Sequence, residues 1–224
     1  MKYSPNPRLN AALERASRKT LSNAGFSLIE LLSVVVVMAL LTALVIPATM
    51  SLIASSGFRS NVTAVDGILE DAYSAALAKN TYVWIGFSQL PINGGGVGVV
   101  TVFSPHEDPN DFPNNVTVLT KPVFLTNLNL ATISAAQISN PSRVTTSVGQ
   151  ITAANIGAFS SQVGGSVQTL SFVMEITPSG QISLSSSTKY AWVEIGMAPL
   201  TGNGKNAAVL QMNAFTGRVA SYRP

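Results

Sequence analysis

Hydrophobic residues form one long run near the start of the chain. The stretch "FSLIELLSVVVVMALLTALVI" covers Phe26 to Ile46, and no residue from Leu31 to Gly57 is charged. The run contains 21 residues. At about 1.5 Å per helical residue it would be about 30 Å long, which is the thickness of the hydrocarbon layer of a bilayer. The run is therefore predicted to be a helix that spans or anchors in a membrane.

Beyond Pro47 the hydrophobic positions recur every three or four residues. They are Phe58, Val62, Val65, Leu69, Ala72, Tyr73 and Ala76. Charged and polar side chains fill many of the positions between them, which is typical of an amphipathic helix with one buried face. We predict that this helix continues to about Lys79 and bends at Gly57 or Gly67, because glycine weakens a helix by roughly 1 kcal/mol. Two separate helices are the alternative.

After residue 80 the pattern changes to short stretches rich in β-branched and aromatic residues. They begin at Thr81, Gly96, Asn115, Val167, Gln181, Lys189, Ala207 and Arg218. Such stretches predict strands, and the glycine-containing turns between the later ones predict antiparallel hairpins. Within residues 127–166, "LATISAAQIS" is compatible with a short helix and "NPSRVTTSVGQ" with a loop, so we expect a surface insertion there. The predicted class is α+β.

Charge is distributed unevenly. The net charge of +3 comes from the first 25 residues, which carry Lys and Arg at several positions against the single acid Glu14. Excess basic charge beside a hydrophobic run predicts a cytoplasmic flank, and a basic nucleic-acid-binding domain is disfavoured because the remainder is close to neutral. The absence of cysteine excludes disulfides and thiolate sites.

One acid, Glu30, interrupts the start of the hydrophobic run. A charge inside a bilayer costs a few kcal/mol unless it is paired or reaches the interface, so Glu30 is a functional candidate. The alternative is that Glu30 lies at the headgroup level without a role.

The stretch "GFSLIELL" resembles the class III signal of type IV pilins and pseudopilins. Gly25, Phe26 and Glu30 match the glycine before the cut, the first mature residue and the glutamate five places into the mature chain. The resemblance implies cleavage by a prepilin peptidase after Gly25, N-methylation of Phe26, and pairing of Glu30 with the new α-amine of a neighbouring subunit. Pro47 matches the position of a helix-kinking proline in many pilins; the alternative is that it only ends the span.

Later motifs resemble the H-type, FimT-like minor pseudopilins. They are the Pro178–Gly180 turn and the closing sequence of Gly217, Arg218 and Val219. The resemblance implies a pilin-like lollipop, in which a long N-terminal helix, transmembrane in its first half and amphipathic in its second, packs on a C-terminal antiparallel β-sheet domain. The implied domains are a cytoplasmic prepilin leader (1–25), a transmembrane or filament-core helix (26–47), an amphipathic helix (48–80) and a β-rich periplasmic domain (81–224).

This resemblance also implies partners and location. The chain would be a single-pass protein of the bacterial inner membrane with a cytoplasmic N-terminus, and then part of a filament. Its partners would be the prepilin peptidase, other pilins or pseudopilins through the N-terminal helix, an inner-membrane assembly platform, and membrane lipid before assembly. The filament would be a type II secretion pseudopilus or a type IV pilus-like filament.

Other sequence features do not predict an enzyme or a cofactor. His106, Glu107, Asp108 and Asp111 carry possible metal ligands, but we interpret them as a solvated acidic loop and predict no metal. A single histidine excludes a histidine-based catalytic pair, and the glycine-rich stretches at 94–98 and 202–206 lack nucleotide-binding spacing and are predicted turns. The acids Glu175 and Glu194 show no spacing typical of an acid/base pair.

Two other functions remain as alternatives. Arg218 and Arg223 would form a small basic tip in a membrane-anchored pilin-like binding protein for DNA uptake or adhesion, but two arginines neutralise few phosphates, so nucleic acid is not the expected partner. A secreted enzyme behind an ordinary signal peptide is disfavoured because the uncharged run is long and no A-x-A site follows.

Overall fold

The structure is a computed structural model that describes residues 26–91, 95–153, 156–184, 188–200 and 206–224. The predicted leader, Gly25 at the proposed cut, residue 94 of the first glycine-rich stretch and residues 202–205 of the second lie outside the described residues. The chain divides into two compact units, Met1–Met50 and Ser51–Pro224. Each unit is described by itself below.

One α-helix, α1, extends from Leu28 to Lys79 and contains 52 residues. The helix ends at Lys79 because the next residue, Asn80, has a left-handed φ of 50°. The N–H of Asn80 donates to the carbonyl of Leu77, and the N–H of Thr81 donates to that of Ala76. This pair of bonds is a Schellman motif, which satisfies carbonyls that the helix end would otherwise leave unpaired.

The described residues that follow the helix form thirteen strands. They are β1 (Val83–Leu90), β2 (Gly96–Phe103), β3 (Thr117–Val118), β4 (Val123–Thr126), β5 (Leu128–Leu130), β6 (Val148–Gln150), β7 (Phe159–Val163), β8 (Ser166–Leu170), β9 (Phe172–Ile176), β10 (Ile182–Ser183), β11 (Trp192–Pro199), β12 (Ala208–Asn213) and β13 (Val219–Tyr222). Each of the predicted stretches contains a strand. Together with α1 they confirm a mixed α+β fold.

The strands form two larger sheets and one hairpin. The six-stranded sheet has the order β10-β9-β1-β2-β3, with β4 also paired to β2. The five-stranded sheet has the order β13-β12-β11-β5, with β6 paired in parallel to β11. The closing strands β11, β12 and β13 pair antiparallel, as predicted. The separate hairpin consists of β7 and β8.

The main hydrophobic cluster combines one helical face with the inner faces of both larger sheets. Its helical members are Phe58, Val62, Val65, Leu69, Ala72 and Ala76, the positions that the helical spacing predicted apart from Tyr73, which is half-buried. The outer face of the six-stranded sheet is also covered, by Phe159, Val163 and Leu170 from the β7–β8 hairpin around Trp84. This second layer explains why nearly all of β1 and β2 is buried.

Within residues 127–166 the stretch "LATISAAQIS" does not form the short helix with which it is compatible, whereas most of "NPSRVTTSVGQ" is a loop, as predicted. This segment contains β5, β6 and β7, and "LATISAAQIS" forms the end of β5 and a turn before β6. Ile133 and Ile138 pack with Ala207 and Val209 on the outer face of the five-stranded sheet. The segment is therefore a cover for that face, and its turn residues are kept in place by burial of these two isoleucines.

Candidate functional site in the amino-terminal helix

The first turn of α1 is closed by Glu30. The backbone N–H of Ser27 donates to Glu30 Oε2 at 3.0 Å, and the N–H of Leu31 donates to the carbonyl of Ser27 at 3.1 Å. Ser27 and Glu30 thus occupy the N-cap and N3 positions of the S-x-x-E pattern, in which the acid satisfies an otherwise unpaired amide of the helix start. The pattern "SLIE" therefore marks the helix start in the sequence itself, in addition to the charge of Glu30.

The helix from Phe26 to Ile46 presents its hydrophobic side chains outward. Phe26 is 81% exposed, and the large side chains from Leu28 to Ile46 are between 49% and 83% exposed. By length and composition, Leu28–Ile46 is the one helix among the described residues that is apolar enough to cross a membrane. A continuous exposed apolar surface of this kind requires lipid or protein around it.

Pro47 lies inside α1, which continues beyond it to Lys79. Proline therefore does not end the helix here. The Pro47 side chain lies outside the described side chains, so the predicted kink remains a prediction.

The predicted acidic loop is only partly solvated. His106 is exposed, but Asp111 is buried and accepts a hydrogen bond from the Ser104 hydroxyl, with His106 Nδ1 at 3.2 Å from its carboxylate. The Ser104 hydrogen bond in particular lowers the pKa of Asp111 below its ordinary value. Among the described residues, no group of three or more possible ligands is placed to hold a metal ion.

Glu194 and Arg143 form a buried ion pair that sequence reasoning missed. Arg143 donates from Nε and Nη2 to the two oxygens of Glu194, at 3.2 and 2.9 Å, and both side chains are nearly inaccessible. Its Nη1 and Nη2 also donate to the carbonyls of Ser134, Ile138 and Ile133. Gln211, opposite Glu194 on β12, donates to Glu194 Oε2 at 2.8 Å. These contacts use every N–H of the guanidinium and both carboxylate oxygens. The ion pair therefore holds the covering segment, which contains Arg143, against the five-stranded sheet, which contains Glu194.

Glu175 has a different environment. It lies opposite Trp84 on the neighbouring strand, and the indole Nε1 donates to its Oε2 at 3.2 Å. Burial is the larger influence and raises the pKa of Glu175 above its ordinary value. Among the described residues, neither Glu175 nor Glu194 lies opposite a second carboxylate on a neighbouring strand.

The two glycine turns noted in the sequence meet at one helical side chain. Gly180, in the turn between β9 and β10, and Gly217, in the turn between β12 and β13, both have left-handed φ angles, of 79° and 67°. A Cβ on either glycine would collide with Tyr73. Tyr73 therefore contacts a turn from each larger sheet, which the turn signals alone did not indicate.

Arg218 and Arg223 lie on either side of the last strand, and whether they act together as a basic tip remains a prediction. They flank the four-residue strand β13, and five residue steps at about 3.3 Å each separate them by about 16 Å. Both are exposed, but only Arg223 lines the cleft that also contains Arg59.

No family model, curated protein or solved structure matches this chain.

Proposed function

We propose that this chain is a minor pilin or pseudopilin, processed by a prepilin peptidase between Gly25 and Phe26 and assembled through its N-terminal helix. The filament would be a type II secretion pseudopilus or a type IV pilus-like filament. The observation that carries the proposal is that Glu30 is the sole charge from Phe26 to Phe58, at the start of a helix whose apolar side chains are exposed.

The electrostatic argument concerns the two oxygens of Glu30. Oε2 accepts the Ser27 N–H, and Oε1 has no hydrogen bond to any described residue. Cleavage would convert the Phe26 nitrogen into a cationic α-amine beside this carboxylate. Because an unpaired charge in hydrocarbon costs a few kcal/mol, Glu30 would pair with its own amine in the membrane and with the amine of an adjoining subunit in the filament.

The rest of the architecture has a mechanical role in this proposal. Before assembly, Phe26–Ile46 crosses the inner membrane with its N-terminus in the cytoplasm, and the β-rich part lies in the periplasm as the head of a lollipop on the long helix. In the filament, neighbouring helices replace lipid around the exposed Leu, Val and Ile side chains. The assembly platform extracts the subunit, and the proposal assigns no catalytic step to the chain.

The direct test is the amino-terminal mass of the protein isolated from native membranes. The proposal predicts a chain that begins at a methylated Phe26. An intact Gly25–Phe26 bond in cells with an active prepilin peptidase, or a start beyond Pro47, would refute it.

A second experiment separates the charge of Glu30 from its role at the helix start. Glu30→Gln keeps an oxygen that accepts the Ser27 N–H but removes the charge, whereas Glu30→Ala removes both. If the charge pairs with an amine, both variants insert into the membrane and are cleaved, but both enter sheared filaments poorly. If Glu30 only caps the helix, Glu30→Gln assembles like the parent, and that result would exclude the pairing role.

A further inference from the structure

The β7–β8 hairpin is attached to the rest of the protein by side chains. Phe159, Val163 and Leu170 are buried against the outer face of the six-stranded sheet. Among the described residues, β7 and β8 pair only with each other, and no backbone hydrogen bond joins either strand to another described element. The hairpin therefore has two outer edges that no described strand covers.

The turn of the hairpin determines which backbone groups lie at these edges. Gly164 and Gly165 connect the strands, and both have left-handed φ angles, of 60° and 87°. Two such angles are typical of a type I′ turn, in which the residues that flank the turn exchange backbone hydrogen bonds. Bonded pairs then recur at every second residue from Ser166 onwards. The N–H and C=O groups of Val167 and Thr169 therefore point away from β7.

The outer edge of β8 lacks the usual protection of an edge strand. Val167 and Thr169 are exposed, Val167 to 67%, and both are β-branched, which favours extended backbone. Natural proteins commonly protect such an edge with a charged side chain or a proline. Strand β8 has neither, and no charged residue occurs between Arg143 and Glu175. This edge is therefore suited to pairing with a further strand.

The opposite edge of the hairpin is less suited to this role. Ser160 and Gln162 lie opposite Thr169 and Val167 in the hairpin, so their backbone groups point outward from β7. Both residues are exposed, but neither is β-branched or apolar. Of the two edges, that of β8 is favoured.

A second copy of β8 is complementary to this edge. If two β8 strands pair antiparallel about Gln168, Val167 of each copy lies opposite Thr169 of the other. Each of these two pairs exchanges backbone hydrogen bonds, about four in total. The β-branched side chains contact each other across the strands, and no like charges meet because the strand is uncharged. The arrangement has two-fold symmetry, in which one surface serves both copies.

We propose that the outer edge of β8 is a self-association surface, through which two copies of this chain form a two-fold dimer by strand pairing. The inference goes beyond the proposed function, because it rests on neither cleavage nor filament assembly. It applies equally to the chain before and after processing.

The first test is disulfide cross-linking of the full-length protein in detergent. The chain has no cysteine, so an introduced thiol reports on one position. In the proposed pairing Gln168 lies opposite Gln168 of the other copy, with Cα atoms about 4.5 Å apart, which a disulfide can span. Gln168→Cys should therefore oxidise to a covalent dimer, measured by non-reducing gel electrophoresis.

Gln162→Cys is the matched control, since it places the same thiol on the exposed edge of β7. It should give at least about tenfold less covalent dimer, because its position has no counterpart within disulfide range in the proposed pairing. Equal cross-linking of the two variants, or no cross-linking of Gln168→Cys, would overturn the proposal.

The second test removes one outward N–H. Thr169→Pro leaves the bonds between β7 and β8 in place, but each copy loses a donor to the other. The dissociation constant of the dimer, measured by sedimentation equilibrium in detergent, should rise at least about tenfold, because two of about four bonds are lost.

Gln162→Pro makes the same change at the edge of β7 and should leave the dissociation constant as in the parent. Both variants keep the apolar helix, so any association through that helix is common to them. Thermal unfolding reports whether each variant is folded. A Thr169→Pro variant that dimerises like the parent, or an equal effect of Gln162→Pro, would exclude pairing through β8. Either result leaves the amino-terminal mass test unaffected, so the two proposals fail separately.

Discussion

Arg143 is the residue on which the covering segment of the five-stranded sheet depends. Removing it as Arg143→Met leaves the Glu194 carboxylate buried without its cation and three carbonyls without a donor. Breaking a buried ion pair from one side costs about 3–5 kcal/mol, so we expect a loss of that size in the free energy of unfolding. Urea titration of the full-length protein in detergent, followed by tryptophan fluorescence, measures it.

The second substitution identifies the cause of that loss. Adding Glu194→Gln to Arg143→Met removes the unpaired charge and should recover part of the stability. Arg218→Met, at an exposed arginine outside both described ion pairs, should change the free energy of unfolding by less than about 0.5 kcal/mol. An Arg143→Met variant as stable as the Arg218→Met control would show that the ion pair does not hold the segment.

The raised pKa of Glu175 predicts the direction in which the free energy of unfolding changes with pH. Because burial raises the pKa of this carboxyl above its ordinary value of 4.5, the folded state binds its proton more tightly than the unfolded state does. Its contribution to stability is therefore fully present below pH 4.5 and is lost as the pH rises through the folded-state pKa. Glu175→Gln, which keeps an acceptor for the Trp84 indole, removes this loss.

The measurement compares the parent and Glu175→Gln in urea titrations between pH 4 and pH 7. The difference in the free energy of unfolding should be smallest at pH 4 and should grow in favour of the variant as the pH rises. The opposing titration of Asp111, whose pKa is lowered, is common to both proteins and cancels in the difference. A difference that stays constant with pH would contradict the raised pKa.

At the level of elements, Tyr73 links α1 to turns from both larger sheets. Gly217→Ala should destabilise the protein for two reasons: its φ of 67° is unfavourable for alanine, and its Cβ would meet the Tyr73 ring. The backbone contributes about 1–2 kcal/mol and the forced repacking about 1–3 kcal/mol. We therefore expect a loss of about 2–5 kcal/mol in the free energy of unfolding.

Two control variants separate the cost of the left-handed φ from the cost of the contact with the Tyr73 ring. Gly164→Ala has a similar φ of 60° but open space around its Cβ, so it should show only the backbone cost of about 1–2 kcal/mol. In a Tyr73→Ala background the cost of Gly217→Ala should fall to that same value, because the ring is gone. Equal costs for Gly217→Ala with and without Tyr73 would mean that the turn does not depend on the helix.

The elements that sequence predicted best are those with local causes. The spacing from Phe58 to Ala76 predicted the buried helical face, and the β-branched stretches predicted strands in each place where they occur. The strands missed between residues 127 and 166 are short, and their burial depends on contacts with distant strands. Arg143, for example, pairs with Glu194, which lies 51 positions further along the chain.

Long-range pairing also limited the prediction of sites. The turn signals at Gly180 and Gly217 were visible, but their shared contact with Tyr73 depends on how distant elements pack. Glu194 was an acid within the apolar stretch "WVEIGM", which signals either an exposed edge or a buried partner, and only the fold decides between them. By contrast, the capping pattern of Ser27 and Glu30 is local, so it was available from the sequence.

For the whole molecule, the decisive question is what surrounds the exposed apolar helix. Val36→Asp together with Leu40→Asp places two acids one helical turn apart in the middle of Leu28–Ile46. Acids at the centre of a membrane helix cost about 2.5–3.5 kcal/mol each, so the pair should cost roughly 5–7 kcal/mol of insertion free energy. We expect the double variant to leave the membrane fraction on carbonate extraction, while the parent stays in it.

The matched control places two acids on exposed valines of the β-rich part, Val118→Asp and Val167→Asp, which are 47% and 67% exposed. This variant should remain with the membrane, because water already surrounds those positions. If the Val36→Asp, Leu40→Asp variant is retained like the control, lipid does not cover the helix, and protein must do so from the start. The pairing role of Glu30 would then have to operate without a hydrocarbon environment, where an unpaired charge costs little and would not fix the register of subunits.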